Sequence, residues 1–316
     1  MLFETPDGEF LILQIPHAKV IVNPVAGAKS TRRRWPDISR LLQYIGLSFD
    51  FAYTEGVGHA IELAKDAAGN GYNYVVAVGG DGTVHEVANG ILSSGGAKET
   101  TLGVISTGTG GDFARSLGIP RNYEPACSTI VANRQSQVDV GVVEYMREGQ
   151  KKQRFFVNGA GIGFDAAVVE NIERSIKHLH GTIPYVLGLL RTLVSYHNKA
   201  ASINTDGKPE KARIVTMVVA NGAYFGGGMK VAPSADLHDG KFDIMMVRDI
   251  GKLGLLRAFP RIYKGTHITH PRVFMDRATE ITVETDERAP VQADGEFLGE
   301  GPASFHMLPA ALTVAV

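Results

Sequence analysis

The sequence predicts an α/β unit followed by a mainly antiparallel β unit, and three observations set that reading. Up to about residue 120, apolar strand-like runs alternate with helix-period runs, each pair joined by a glycine-bearing turn. Beyond about residue 135 almost every apolar run is strand-like and is bounded by turns such as Asp206-Gly207, Asp239-Gly240 and Asp294-Gly295. At 316 residues, 44% apolar and 21% charged, the chain is long enough for two ordinary domains, each burying its own core. The predicted division is 17–135 and 136–305, with the last strand, about 306–316, returning to the first unit.

In order, an apolar strand closing at 20–22 enters Asn23-Pro24-Val25-Ala26-Gly27, a turn with two breakers. A helix over 35–44, a strand over 49–53 and a helix over 60–68 follow. Residues 74–78 form a continuous apolar run, as expected of a strand buried on both faces of a parallel sheet. That run enters Gly79-Gly80-Asp81-Gly82-Thr83. Val84, Val87, Ala88, Ile91 and Leu92 then fall at i, i+3, i+4, i+7 and i+8, one face of a helix. A strand over 102–105 enters Thr107-Gly108-Thr109-Gly110-Gly111-Asp112, with Phe113, Ala114 and Leu117 opening the next helix. In the second unit, strands are expected at 137–145, 154–157, 200–204, 213–220, 242–247, 278–285 and 312–316. Helices are expected at 166–176, 185–196 and 253–263. Gly159-Ala160-Gly161-Ile162-Gly163-Phe164 has the wrong spacing for a dinucleotide fingerprint and reads as a bend where backbones pass closely.

The glycine turns carry the chemistry. Glycines let backbone N–H groups approach phosphate oxygens, and a helix N-terminus favours an anion. Asp81 cannot itself welcome phosphate; it suits Mg²⁺, a ribose or a bridging water. Asp81-Gly82 with Thr83 as a helix cap also makes an ordinary turn, and alone the two readings weigh equally. The loops at 107–112 and 23–27 shift the balance. All three lie at the carboxyl ends of parallel strands, where open α/β sheets bind ligands. Gly27-Ala28-Lys29-Ser30 is not a Walker A loop, because Lys29 does not follow the glycine directly and the upstream glycine is missing.

Composition removes several classes. Thirty-two basic and 33 acidic side chains give a net charge of −1, which favours no nucleic-acid partner. Cys127 is the single cysteine, so no internal disulfide forms; it reads as an incidental thiol on a surface helix. The histidines show no H-x-x-x-H spacing for zinc. The longest apolar stretch, 183–194, is broken by Gly188 and Arg191 and is shorter than the roughly 18–20 residues of a bilayer span. A soluble, cytoplasmic chain is expected. Arg32-Arg33-Arg34 reads as a solvated helix start that a membrane surface could also use.

The run Gly79-Gly80-Asp81-Gly82-Thr83-Val84-His85-Glu86-Val87-Ala88-Asn89-Gly90 closely resembles the nucleotide motif of the diacylglycerol kinase catalytic-domain family. Asn23-Pro24-Val25-Ala26-Gly27 is similar to that family's opening loop, and Thr107 to Arg115 to its G-T-x-N-D-F-A-R segment. Gly227-Gly228-Met229-Lys230-Val231-Ala232-Pro233 with Asp239-Gly240-Lys241-Phe242-Asp243 resembles its β-domain core. Asp294-Gly295-Glu296 matches its D-G-E signature. Gly111 stands where that family usually has asparagine, and His85 where asparagine is also frequent.

The resemblance implies an ATP-dependent lipid kinase that phosphorylates a hydroxyl of diacylglycerol or a similar lipid alcohol. It also implies an NAD kinase/phosphofructokinase-like α/β domain, a β-sandwich second domain and an active cleft between them. Asp294, as general base, and Glu296 are the expected catalytic residues. Asn23, Pro24, Gly27, Thr54, Gly79, Gly80, Asp81, Gly82, Thr83, His85, Glu86, Thr107, Gly108, Thr109 and Asp112 are the expected nucleotide contacts. Asp236, Asp239 and the carbonyl of Lys241 are the expected structural Mg²⁺ ligands. ATP, Mg²⁺, a lipid substrate and peripheral contact with the inner membrane face follow as partners, with a homodimer left open. The rival readings are an NAD-kinase-like soluble kinase and a non-catalytic lipid- or nucleotide-binding regulator.

Overall fold

The computed structural model describes residues 2–4, 10–12, 17–96, 99–132, 134–175 and 191–316. β1 (Leu2–Glu4) and β2 (Phe10–Ile12) pair with each other. The first unit is a parallel sheet in the order β4 (Ser48–Tyr53), β3 (His17–Val22), β5 (Tyr74–Gly79), β6 (Thr101–Ser106). Helices cover both its faces. Val20, Val22, Val76 and Val78 pack against α1 (Ala26–Tyr44) and α5 (Tyr123–Val131), through Trp35, Ile38, Leu42 and Ile130. The alternating Ile21, Val75 and Ala77 pack with Ala60 and Ala64 of α2 (His59–Gly69) and Val84, Val87 and Ile91 of α3 (Asp81–Ser93). Burial on both faces explains why β5 is apolar throughout rather than alternating. Gly90 lets α2 and α3 close together: a Cβ there would lie 2.4 Å from the Ile61 carbonyl oxygen. α4 (Asp112–Ser116) follows the third glycine turn.

The second unit is built from β7 (Gln135–Arg147), β8 (Gln150–Phe156), β9 (Gly159–Gly163), β10 (Lys199–Thr205), β11 (Lys208–Ala220), β12 (Phe242–Arg248), β13 (Val273–Ala278), β14 (Glu280–Thr285), β15 (Pro290–Ala293) and β16 (Glu296–Ala315). Within this unit all pairings are antiparallel. Its core is centred on Phe156, Phe242, Phe305, Ile162 and Val283, with Phe156 stacked on Phe242 at 5.5 Å. β16 is twenty residues long. It pairs antiparallel with β15, β14 and β7, then runs parallel beside β6 at Thr313 and Val314. One strand therefore belongs to both units.

Several sequence expectations change. Residues 159–163 are not a bend but the strand β9, held between β11 and β15 with every position buried. Cys127 is not on a surface: α5 turns it fully inward. The expected strand 278–285 is two, β13 and β14, meeting at Thr279. The helix expected at 253–263 spans Lys252–Ala258 and tightens into a 3₁₀ turn, Phe259–Lys264, where Pro260 lacks an amide donor. The helix expected at 166–176 is α6 (Phe164–Ser175). Half of that expected at 185–196, residues 185–190, lies outside the described residues.

Candidate active site

The three glycine turns of the first unit meet at one sheet edge and are bonded to one another. Asn23 donates its backbone N–H to the Val78 carbonyl and its side-chain amide to Thr83 Oγ1 at 3.0 Å. Thr107 and Gly108 donate to the Gly79 carbonyl. Ser30 Oγ donates to the Thr107 carbonyl, and the Thr31 and Thr107 hydroxyls share a hydrogen bond. Gly108 is required by this closeness, since a Cβ there would lie 2.6 Å from Gly80 Cα. Gly27, Ala28 and Lys29 all have left-handed backbone, with φ of 57°, 54° and 68°, which folds the first loop onto the third.

Asp81 is used twice over. Its Oδ2 accepts from the Gly111 amide at 2.7 Å, and its Oδ1 accepts from the amides of Asp112 and Phe113. The carboxylate thus satisfies the free donors at the start of α4. Burial raises its pKa, the charge of Asp112 raises it further, and the three amides oppose both. Asp112 is itself buried; its Oδ1 pairs with Arg115 at 2.7 Å and its Oδ2 accepts from the Gly227 amide at 2.6 Å. Gly227 belongs to the second unit, so this carboxylate crosses between the two.

Asp294 makes the reciprocal crossing. Asp294-Gly295 is the two-residue turn between β15 and β16, with φ of 48° and 84°, the left-handed pair such a hairpin requires. Oδ1 accepts from the amides of Asn158 and Gly159, each at 2.9 Å. Oδ2 accepts from the Val157 amide and from His85 Nδ1, each at 2.8 Å. His85, on α3, reaches Glu296 Oε2 at 3.2 Å with its other ring nitrogen. Glu296 also pairs with Arg154 at 2.5 Å. Arg154 Nε lies 3.2 Å from the same His85 Nε2, so Arg154 and Glu296 compete for it. The protonated ring, donating to both carboxylates, is the form the site favours. Burial pushes the His85 pKa down, but the bonds and charges of Asp294 and Glu296 outweigh it and lift it to about 9. Burial likewise works to raise Glu296, and His85 and Arg154 overcome it, holding it at about 2.

Asp81, Asp112 and Asp294 face one cavity of about 240 Å³, with Asn158, Glu173 and Phe225 among its other walls. Phe225 is also a wall of a second, apolar cavity of about 100 Å³, formed with Phe164, Val168, Met229, Met245 and Phe259. A carboxylate-lined chamber and an apolar one therefore share a side chain. Asn158, Glu173 and Phe225 were not legible as site residues. Asn158 and Phe225 have no motif of their own, and Glu173 sits on α6 among ordinary helix residues.

A profile described as the diacylglycerol kinase catalytic domain matches residues 17–143, and one described as the YegS C-terminal NAD kinase beta sandwich-like domain matches residues 159–316. The chain belongs to the diacylglycerol kinase catalytic-domain family. Diacylglycerol kinase of Bacillus subtilis (strain 168) is 30% identical over 288 residues, 91% of this chain and 92% of that protein. Diacylglycerol kinase of Staphylococcus carnosus (strain TM300) is 28% identical over 91% of each chain. A solved Bacillus anthracis (strain Sterne) structure named for a diacylglycerol kinase superposes with a TM-score of 0.76 at 27% identity, covering 96% of this chain and 97% of that one.

Within this family member the expected nucleotide contacts separate into two groups. Asn23, Gly27, Gly79, Gly80, Asp81, Thr83, Thr107, Gly108 and Asp112 lie in or against the joined loops. Pro24, Gly82 and Thr109 are in the same three turns, and Thr54 sits at the end of β4, its amide bonded to the Val22 carbonyl. His85 faces the two carboxylates of the second unit instead of a loop. Glu86 turns the other way, accepting from the amides of Gly58 and Ala60 at the start of α2. Of the expected Mg²⁺ set, Asp236 accepts from the amide and ring of His238, and Asp239 accepts from the Lys241 amide and pairs with Arg277. As these side chains sit they are not a ready cation site.

Asp81→Asn replaces one acceptor oxygen with an NH₂ that faces a backbone N–H. Unfolding in urea should show a loss of about 1–3 kcal/mol, together with weaker nucleotide binding. An unchanged urea midpoint would mean that Asp81 does not hold the start of α4.

Proposed function

We propose that the chain is an ATP-dependent lipid kinase that phosphorylates a hydroxyl of diacylglycerol or a similar lipid alcohol at a membrane surface. The observation that carries this reading is the shared wall at Phe225. A polar chamber suited to phosphoryl transfer opens beside an apolar chamber suited to a lipid tail. The relatives named diacylglycerol kinase support the same reading.

In this reading the loops at 23–27, 79–83 and 107–111 cradle the phosphates with backbone amides. Asp81 and Asp112 fit Mg²⁺: burial and the neighbouring charge of Asp112 both raise the Asp81 pKa, and a divalent cation held between them would remove that cost. Held there, the ion would supply charge neutralisation at the phosphate oxygens of bound ATP. The lipid oxygen attacks the γ-phosphorus, the bond from that phosphorus to the β,γ-bridging oxygen breaks, and ADP leaves with the electron pair. Asp294 takes the hydroxyl proton. All four lone-pair positions of Asp294 are filled, so accepting a proton means releasing one donor. His85 is the one donor among them carried by a side chain.

The membrane side of the proposal rests on residues 252–268, directly behind the apolar chamber. Leu255, Ala258, Phe259 and Ile262 line that chamber, while Leu253, Leu256, Tyr263 and Ile268 are exposed. Lys252, Arg257, Arg261 and Lys264 are interleaved with them. Apolar side chains among basic ones suit an anionic lipid surface. No helix among the described residues is long and apolar enough to cross a membrane.

Labelled ATP offered with a lipid panel in mixed micelles, with NAD as a soluble competitor, should transfer phosphate to a lipid alcohol. Asp294→Asn should reduce turnover on the order of 10²–10⁴-fold with ATP affinity nearly unchanged. Transfer to NAD alone, or collapse of ATP affinity in the variant, would contradict the acceptor and the role given to Asp294.

A structural Mg²⁺ at Asp236, Asp239 and the Lys241 carbonyl is a separate proposal, and the ion would have to displace Arg277 from Asp239. Melting temperature of the nucleotide-free protein should then rise with Mg²⁺. The rise should shrink in an Asp236→Ala, Asp239→Ala double variant. An equal response in both proteins would leave these residues as an ordinary loop.

A further inference from the structure

His85 is almost wholly buried, at 1% exposure, yet every polar neighbour of its ring carries charge. Asp294 meets Nδ1 from the β15–β16 turn, Glu296 meets Nε2 from the first residue of β16, and Arg154 approaches from β8. Glu86, the nearest acid along α3, is turned to the Gly58 and Ala60 amides and does not compete. Glu173 stands on the far side of Glu296, bonded to the Phe297 amide. Two carboxylates, one guanidinium and one imidazole make a balanced group only when the imidazole carries its proton. An uncharged ring would donate to only one of the two carboxylates and leave the other to its remaining donors, the three amides at Asp294 or Arg154 at Glu296.

The position of the ring in the fold gives this charge a use. α3 begins at the phosphate loop, and Asp294 is the acceptor-side carboxylate of the other unit. We propose that His85 is a positioning residue for phosphoryl transfer: its imidazolium ties the phosphate-loop helix to Asp294 and Glu296 and fixes the orientation of the Asp294 carboxylate. This rests on the kinase reading and extends it to a residue that the nucleotide motif would assign to ATP. The physical basis is that a charge-assisted hydrogen bond holds a carboxylate in one orientation more firmly than a neutral donor does. His85 in turn is held charged by the carboxylates. Its folded-state pKa, lifted to about 9, lies above the usual 6.5. The bridge therefore contributes stability that is fully present below about pH 6.5 and is lost as pH rises through about 9.

The test compares kcat from pH 6 to 10 in wild type and His85→Asn at saturating ATP and lipid. Asparagine keeps a donor at the position of Nδ1 and removes the charge. The wild-type kcat should fall as pH rises through about 9, where the ring loses its proton, and that limb should be missing in the variant, whose kcat is lower by about tenfold, while KM for ATP stays within about twofold. The same limb in both proteins would overturn the proposal, whereas a wild-type protein with no turnover on any lipid would sink the kinase reading instead. A second measurement needs no activity. The ¹⁵N resonances of the His85 ring in the wild type should show both nitrogens protonated through pH 8, titrating near 9. In Glu296→Gln the midpoint should fall. A wild-type ring that titrates near 6.5 would overturn the proposal whatever the kinetics show.

Discussion

Asp294 is held by three consecutive backbone amides, 157–159, and by a ring on a helix of the other unit. Those amides lie at the join of β8 and β9, where the chain would otherwise leave buried donors unpaired. The carboxylate therefore does structural work before any chemistry. It closes the β8–β9 corner, fixes the β15–β16 hairpin against it, and adds a contact between α3 and the second unit beside the two hydrogen bonds that Asn89 makes with the Phe155 backbone. The left-handed backbone at Asp294 and Gly295 is the local condition for all three, because a turn of any other shape would aim the side chain elsewhere.

The same economy recurs across the cleft. Asp112 reaches from the first unit to the Gly227 amide of the second, as Asp294 reaches to His85 from the second to the first. Asp81 holds the start of α4 while facing the same cavity. Each carboxylate is fixed by at least one backbone donor, whose direction the fold sets in advance. Two features tie the units together here: β16 is shared by both sheets, and carboxylate bridges cross the gap in both directions.

What could be read from the sequence was whatever is local. A doubly buried strand, a glycine turn and an amphipathic helix occupy about twenty consecutive residues, so the glycine turns at 79–83 and 107–111 and their helices were legible. The Asp294-Gly295 turn was legible for the same reason. β9 was not, because Gly-Ala-Gly-Ile-Gly has little strand preference of its own. It is a strand because β11 and β15 supply ladders on both sides, and Gly161 and Gly163 are required by close neighbours; a Cβ at Gly161 would overlap the Asp165 carboxylate. His85 and Glu86 are adjacent in one motif, yet one turns to residues more than 200 positions later and the other to the start of α2. No spacing rule carries that information. Cys127 was misplaced because a helix with a mixed face leaves its inward side undecided until the sheet beneath it is known.

The central claim is that Asp294 joins the β8–β9 corner and α3 through direct hydrogen bonds. Hydrogen exchange measured by mass spectrometry on peptides covering residues 155–163 and 82–92, in wild type and in Asp294→Ala, tests it most directly. The account predicts exchange faster by about tenfold or more in both peptides, with no change in either for Asp286→Ala, an exposed turn residue of the same unit. Wild-type protection of residues 155–163 in the Asp294→Ala protein would contradict it.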